Sequence, residues 1–244
     1  MNKLIINVCL LMIFSVMCIS AQEWNTEETQ ENTQAYIAVD VVSQYIWRGF
    51  DYGGVSVTPA IGVSKKGFSF TAYGSTGFDT EQTKTLGLTL GYKRDGLSIM
   101  LTDFWYSDAY TPYGKFPSTY FEYNARKTTH IYEASLGYDF GYTAVEWNTL
   151  LGGYDFYKSD GNRAYSTYVE VSVPFNISEV DFKAHIGFTP WEGFYADGFN
   201  VVNTGIKASK TFYLSKLAIP VSAQIIANPY SEQVFMFAGV GFWL

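Results

Sequence analysis

VDFKAHIGFT, residues 180–189, carries the pattern that decides the fold. Val180, Phe182, Ala184, Ile186 and Phe188 fall on every second position, and Asp181, Lys183, His185, Gly187 and Thr189 fill the gaps. In an extended chain successive side chains point to opposite faces, so this spacing gives a strand with one apolar face and one polar or small face. A helix would scatter both sets around its axis. The same alternation runs through TLGLTLGY (85–92) and AYSTYVEVSV (164–173). About twelve such segments fill the chain, near 35–47, 55–64, 67–77, 85–93, 97–106, 129–139, 143–156, 164–173, 180–189, 201–211, 217–227 and 234–244.

Composition agrees with an all-β chain. Of 244 residues, 18% are aromatic and only 16% charged, where an average soluble domain has about 25% charged residues. The 20 Tyr and 19 Phe favour strands, and the 22 Gly mark turns and kinks. The formal net charge of −7, with no long basic run, excludes the electrostatic footprint of a nucleic-acid partner.

The connections alternate in character. Those near KKG, KRDG, FGY, PFNISE and FYLSK are tight. Most of the others, including GFDYGG, GFDTEQTK, residues 107–128, YKSDGNR and PWEGFYADGFN, are longer and rich in aromatic, acidic and glycine residues. Short turns at one end and long loops at the other mark a transmembrane antiparallel up-and-down β-barrel of about twelve strands. A soluble sandwich alternates too, with its apolar face inward. Three features favour the barrel, one of them an N-terminal stretch that reads as an export signal. Aromatics cluster near strand ends, with Tyr45, Trp47 and Trp105 toward the long loops and Tyr92 and Trp243 toward the tight turns, as interfacial girdles do. The C-terminal VFMFAGVGFWL is an apolar strand that would be an aggregation hazard unless closed against the first strand.

Residues 1–21 read as an export signal: a basic MNK start, an apolar run and a small residue before the expected cleavage after Ala21. Both cysteines, Cys9 and Cys18, lie in it, so the mature chain is expected to have none. Residues 22–34 are a polar, flexible lead and 35–244 the barrel. No later stretch reaches the ~18–20 apolar residues of a membrane helix. The expected location is the outer membrane of a Gram-negative bacterium.

The stretch VDVVSQYIWRGFDYGGVSVTPAIGV, residues 39–63, resembles the start of the TorF-type porins, the Gcw-chp family. The segment GFSFTAYGSTGFD is similar to that family's next strand, and KLAIPVSAQIIANPYSEQVFMFAGVGF to the closing hairpin of its Bacteroidales members. The resemblance implies a porin-like barrel and brings no defined substrate with it. One departure is the ending Phe242-Trp243-Leu244, which displaces the terminal aromatic by one residue.

On the barrel reading the polar face lines the lumen. Its candidates are Asp40, Gln44, Arg48, Glu133, Glu146, Glu170, Asp181, Lys183, His185 and Lys207. Both signs of charge are present, which suits a water-filled pore or a plug of salt bridges in a narrow barrel. Within SQYIWRGF (43–50), parity sends Trp47 to the outer girdle and Arg48 inward. Asp40 is eight residues from Arg48, about 27 Å along a strand at ~3.3 Å per residue, so the partner of Arg48 must come from another strand or a loop. The chain has two histidines, neither near a nucleophile motif, and no GxSxG or metal-ligand spacing, so no enzyme, cofactor or metal is expected. His185 reads as a hydrogen-bonded lumen residue and His130 as a surface residue. The aromatic loop 107–128 suits packing at the barrel mouth or contact with a flat solute.

The expected function is passive diffusion of small hydrophilic solutes or ions through an outer-membrane porin. The expected partners are membrane lipid and, through the C-terminal strand, the barrel-assembly machinery. The alternatives are a non-conducting barrel that makes surface contacts through its aromatic loops, and a barrel hydrolase.

Overall fold

The computed structural model describes residues 32–244, apart from 80–81, 108–109, 112–113, 116–118, 125–126 and 159. The expected signal and most of the polar lead lie outside the described residues, as does much of loop 107–128. The barrel strands are β1 (Gln34–Val42), β2 (Ser56–Lys65), β3 (Phe68–Gly77), β4 (Thr85–Arg94), β5 (Leu97–Tyr106) and β6 (His130–Asp139). They continue with β7 (Ala144–Gly153), β8 (Thr167–Ile177), β9 (Val180–Thr189), β10 (Asn200–Leu214), β11 (Leu217–Asn228) and β12 (Gln233–Trp243). Each pairs antiparallel with its sequence neighbour, and β12 returns to β1 to close the barrel. Val39 stands opposite Phe242, and Ile37 and Leu244 exchange backbone bonds of 3.1 and 2.9 Å. The edge that the apolar terminus would otherwise leave bare is thereby paired.

The tight turns follow from sequence. Lys66-Gly67 and Asp95-Gly96 both have positive φ at each residue, the type I′ geometry whose twist matches that of paired strands. Two of the tight connections are shorter than their composition suggests. β8 runs on through Pro174–Ile177 and β10 through Phe212–Leu214, which leaves only Ser178-Glu179 and Ser215-Lys216 to turn.

The apolar face points outward. Ile37, Ile61, Phe70, Leu90, Leu101, Leu136, Ile186, Ile225 and Met236 are all exposed strand residues. Their neighbours Ala38, Tyr73, Thr102, Ser135, His185 and Ile226 are buried inside. This is the reverse of a sandwich, whose apolar faces pack against each other. Inner glycines make room for large inner side chains. The Tyr73 ring lies across Gly87, where a Cβ would come within 1.9 Å of it.

Candidate functional site

The first strand stops earlier than its pattern suggests. At Ser43 the chain leaves the wall, with Ser43 N–H donating to Ala238 C=O at 2.9 Å and its Oγ accepting from Ala238 N–H at 3.0 Å. Beyond it Ile46–Trp47 and Phe50–Asp51 pair as a miniature hairpin folded into the lumen. Its tip is Arg48-Gly49, with φ of 49° and 81°, again the type I′ geometry. A non-glycine residue in the left-handed region costs on the order of 1–2 kcal/mol, so the surroundings must hold Arg48 there.

They do so from several strands. Arg48 binds Glu133 of β6 in a bidentate pair, Nη1 to Oε2 at 2.6 Å and Nη2 to Oε1 at 3.0 Å. β6 stands five strands from β1 along one side of the ring and seven along the other, so the pair spans the lumen. Nη1 also donates to Tyr195 Oη at 2.5 Å. The guanidinium carbon lies 4.6 Å from the Trp47 ring centroid and 4.7 Å from that of Tyr168. Asn228 of β11 donates to Gly49 C=O at 3.1 Å, and a Cβ on Gly49 would meet Val202 O at 2.0 Å. Arg48 is 1% exposed and Glu133 3%. Their charges are compensated by each other and by oriented rings and hydroxyls, the condition under which a buried pair is tolerated, and the field of Arg48 also reaches Glu146.

A second loop completes the plug. The connection between β9 and β10 brings Phe194, Tyr195 and Ala196 inward, where Tyr195 packs on Trp47, Phe50 and Tyr168. Phe194 N–H donates to Ser166 Oγ at 2.7 Å, and Ser166 Oγ donates to Asp155 Oδ1 at 2.5 Å, which ties this loop to the one after β7. Burial pushes the Tyr195 phenol above its ordinary value, so it remains protonated beside Arg48. Burial also raises the Asp155 carboxyl, an effect partly offset by Ser166 and the Phe156 N–H. Ile46 sits in a separate apolar cluster with Ile226, Phe235 and Phe237 of the wall.

Below the plug the inner wall is polar. Tyr168 Oη donates to Glu170 Oε2 at 2.6 Å and accepts from Asn203 Nδ2 at 2.7 Å. Asn203 Oδ1 is 3.2 Å from His185 Nε2, and Lys183 Nζ is 3.4 Å from Glu170 Oε1. Toward the tight turns the wall regains exposure, with the Lys183 side chain 24% exposed and Thr71, Thr89, Lys207, Ser209 and Gln224 half-buried. The lumen is therefore filled at its loop end and open as a polar vestibule at its other end.

The sequence candidates distribute as follows. Asp40, Glu133, Glu146, Glu170, Asp181, Lys183, His185 and Lys207 lie on inward positions of the wall. Arg48 is inside the lumen as the tip of a loop rather than as a wall residue. Gln44 does not line the lumen: it is past the end of β1 and donates to Asp51 Oδ2 at 2.9 Å within the first loop. Tyr92 and Trp105 face outward, against Phe68 and Tyr120 respectively. Three girdle assignments are overturned. Tyr45 and Trp47 are buried, because the chain turns inward at Ser43 and outward parity ends there. Trp243 is buried as well and donates its Nε1–H to Asp40 Oδ1 at 2.9 Å.

His130 is not a surface residue either. It is fully buried on the outer side of β6, with Nδ1 2.7 Å from Asp103 Oδ1, Nε2 2.7 Å from Tyr120 C=O, and Tyr120 and Tyr123 packed on the ring. Sequence reading missed Tyr195 in the plug, and Tyr168 and Phe104 as the wall rings that meet it and Trp47. The one available signal was Arg-Gly after a Tyr-Ile-Trp run, a two-residue hairpin turn in its own right.

No family model matches the chain, and no curated protein matches it. Among solved structures it is similar to the KdgM porin, at 8% identity over 85% of this chain and 97% of that one, with a TM-score of 0.47. It is also similar to the NanC porin (8% identity, 86% and 98% covered, TM-score 0.40) and to the β domain of the Bordetella autotransporter BrkA (16%, 86% and 98%, 0.38). These likenesses extend to the barrel architecture and no further.

Proposed function

We propose that this chain is a porin-class barrel of a Gram-negative outer membrane that passes small hydrophilic solutes only when its inward-folded first loop leaves the lumen. An apolar outer belt with aromatics toward both rims suits a bilayer, and a polar inner wall suits water. Export by the N-terminal signal, insertion through the C-terminal strand and kinship with the TorF-type porins belong to the same proposal. The observation that carries it is that two loops, packed on large inner side chains of the wall, close the lumen above a polar vestibule, and that the Arg48–Glu133 ion pair spans it. A loop lies outside the strand ladder, so it can move as a unit where a wall residue cannot. No covalent step and no cofactor enter this reading.

A second reading, a non-conducting barrel, draws on the packing of Trp47 among Phe104, Tyr52 and Tyr195. Planar-bilayer recording separates the two. Wild type should give rare, small conductance steps and Arg48→Ala larger and longer ones. Silence in both, with a properly heat-modifiable barrel, would favour the non-conducting reading.

A further inference from the structure

Glu146 is the buried inner-wall carboxylate that, among the described residues, has no hydrogen-bond partner on either oxygen. Glu133 has Arg48, and Glu170 has Lys183 and the Tyr168 hydroxyl. Asp40 accepts from Trp243 and feels the charge of Lys207, and Asp139, at the end of β6, accepts the Gly141 N–H. Glu146 is 1% exposed, and among the described residues no donor meets either of its carboxylate oxygens with full hydrogen-bond geometry, the Asn148 side chain being the neighbour that interacts with them. Its cross-strand neighbour on β8 is Glu170, so a like charge stands directly opposite. Arg48 and Lys183, the cations whose fields reach it, are each bonded to another carboxylate. Water could satisfy the lone pairs of Glu146 but could not balance its charge.

The surroundings of Glu146 are oxygen-rich. In the register across β5, β6 and β7, Ser98, Gly137 and Glu146 form one row. Gly137 has no side chain to fill the row's centre, and Ser98 Oγ leans over it, 2.4 Å from where a Cβ would be. Ser98 Oγ and the Asn148 amide oxygen, one inward position along β7 from Glu146, also have no hydrogen-bond partner among the described residues. Ser98 is 8% exposed and Asn148 0%. A carboxylate, an amide oxygen and a hydroxyl are hard ligands, the set that favours sodium, calcium or magnesium over transition metals. Within this ligand set the surplus is the one charge of Glu146, which suits a monovalent ion.

We propose that the Glu146 carboxylate, with the Asn148 amide and the Ser98 hydroxyl, binds a sodium-sized monovalent cation inside the barrel wall. This site does not depend on whether the lumen conducts. A ligand bound only by the folded state stabilises it in proportion to the logarithm of its concentration. The test is thermal unfolding of the whole protein in detergent, with sodium chloride replaced stepwise by N-methyl-D-glucamine chloride at constant ionic strength. Wild type should gain about 3–5 °C in midpoint per tenfold rise in sodium above the dissociation constant. Glu146→Gln removes the surplus charge and should show no sodium dependence, and Asn148→Ala a weakened one.

If Glu146→Gln fails to fold, the wild-type titration and thallium(I) binding, read by anomalous scattering beside residue 146, still decide. A wild-type midpoint indifferent to sodium overturns the proposal; if acid stabilises instead, the carboxyl takes up a proton. A response to calcium alone overturns the monovalent assignment.

Discussion

The two ends of this barrel handle the same material, aromatic residues, in opposite ways. At the tight-turn end rings face outward and pair on the wall: Phe68 with Tyr92 at 4.7 Å, Tyr138 with Phe140 at 4.7 Å, Phe175 with Phe182 at 5.3 Å. At the loop end Trp47, Phe50, Tyr52 and Tyr195 turn inward and pack on Phe104, Tyr106 and Tyr168 of the wall. Trp105, Trp147 and Trp191 remain outside. Where turns span two residues there is no spare chain to fold inward. Where loops are long, the chain fills the lumen with rings and needs a charged anchor to hold it there. Outer girdles and inner plug share a composition and differ in what connects the strands.

That contrast predicts unequal consequences of mutation. Arg48→Ala leaves Glu133 buried and unpaired, so it should destabilise the barrel by about 3–5 kcal/mol, measured by urea unfolding in detergent. A joint Arg48→Met, Glu133→Leu variant should recover most of that loss; if it does not, the arginine has a role other than answering Glu133. Gly49→Ala places a Cβ against Val202 O at a left-handed φ, and should cost at least ~1–2 kcal/mol while leaving the tight-turn end unchanged.

Trp243→Phe removes the Asp40 donor and should cost about 1–3 kcal/mol. Phe68→Ala, at the opposite end, loses a ring pair worth ~0.5–1.5 kcal/mol beyond its buried area and should not alter lumen access. The smallest effect concerns pH. The Asp155 carboxyl is raised when folded, so it binds its proton more tightly in the native state. Its contribution to stability therefore grows as pH falls through the folded value toward that of the unfolded chain. Amide protection factors across residues 160–166 should rise, not fall, on mild acidification.

How far the sequence could be read is itself tied to these two regions. Strands with chemically different faces were legible: in 180–189 His185 is buried and Ile186 exposed, as alternation requires. The closing strand was harder, because both faces of VFMFAGVGFW are apolar. Its glycines held the clue. Gly239 and Gly241 share parity with Trp243, as Gly87 and Gly91 share the inner face of β4, and that would have turned Trp243 inward. The plug was not legible by parity at all. Alternation applies only while the chain stays in the wall, and the departure at Ser43 is fixed by hydrogen bonds to Ala238. The partner of Arg48 comes from 85 residues away, a distance that no local pattern encodes.

The central claim is that the lumen is shut from the loop side and open from the tight-turn side. Lys183→Cys, in a chain freed of Cys9 and Cys18 and reconstituted in vesicles of known orientation, tests it with a membrane-impermeant thiol reagent small enough for the vestibule. Labelling from the tight-turn side only, with loop-side labelling appearing once Arg48→Ala is added, is the predicted result. Equal labelling from both sides with Arg48 intact would contradict it.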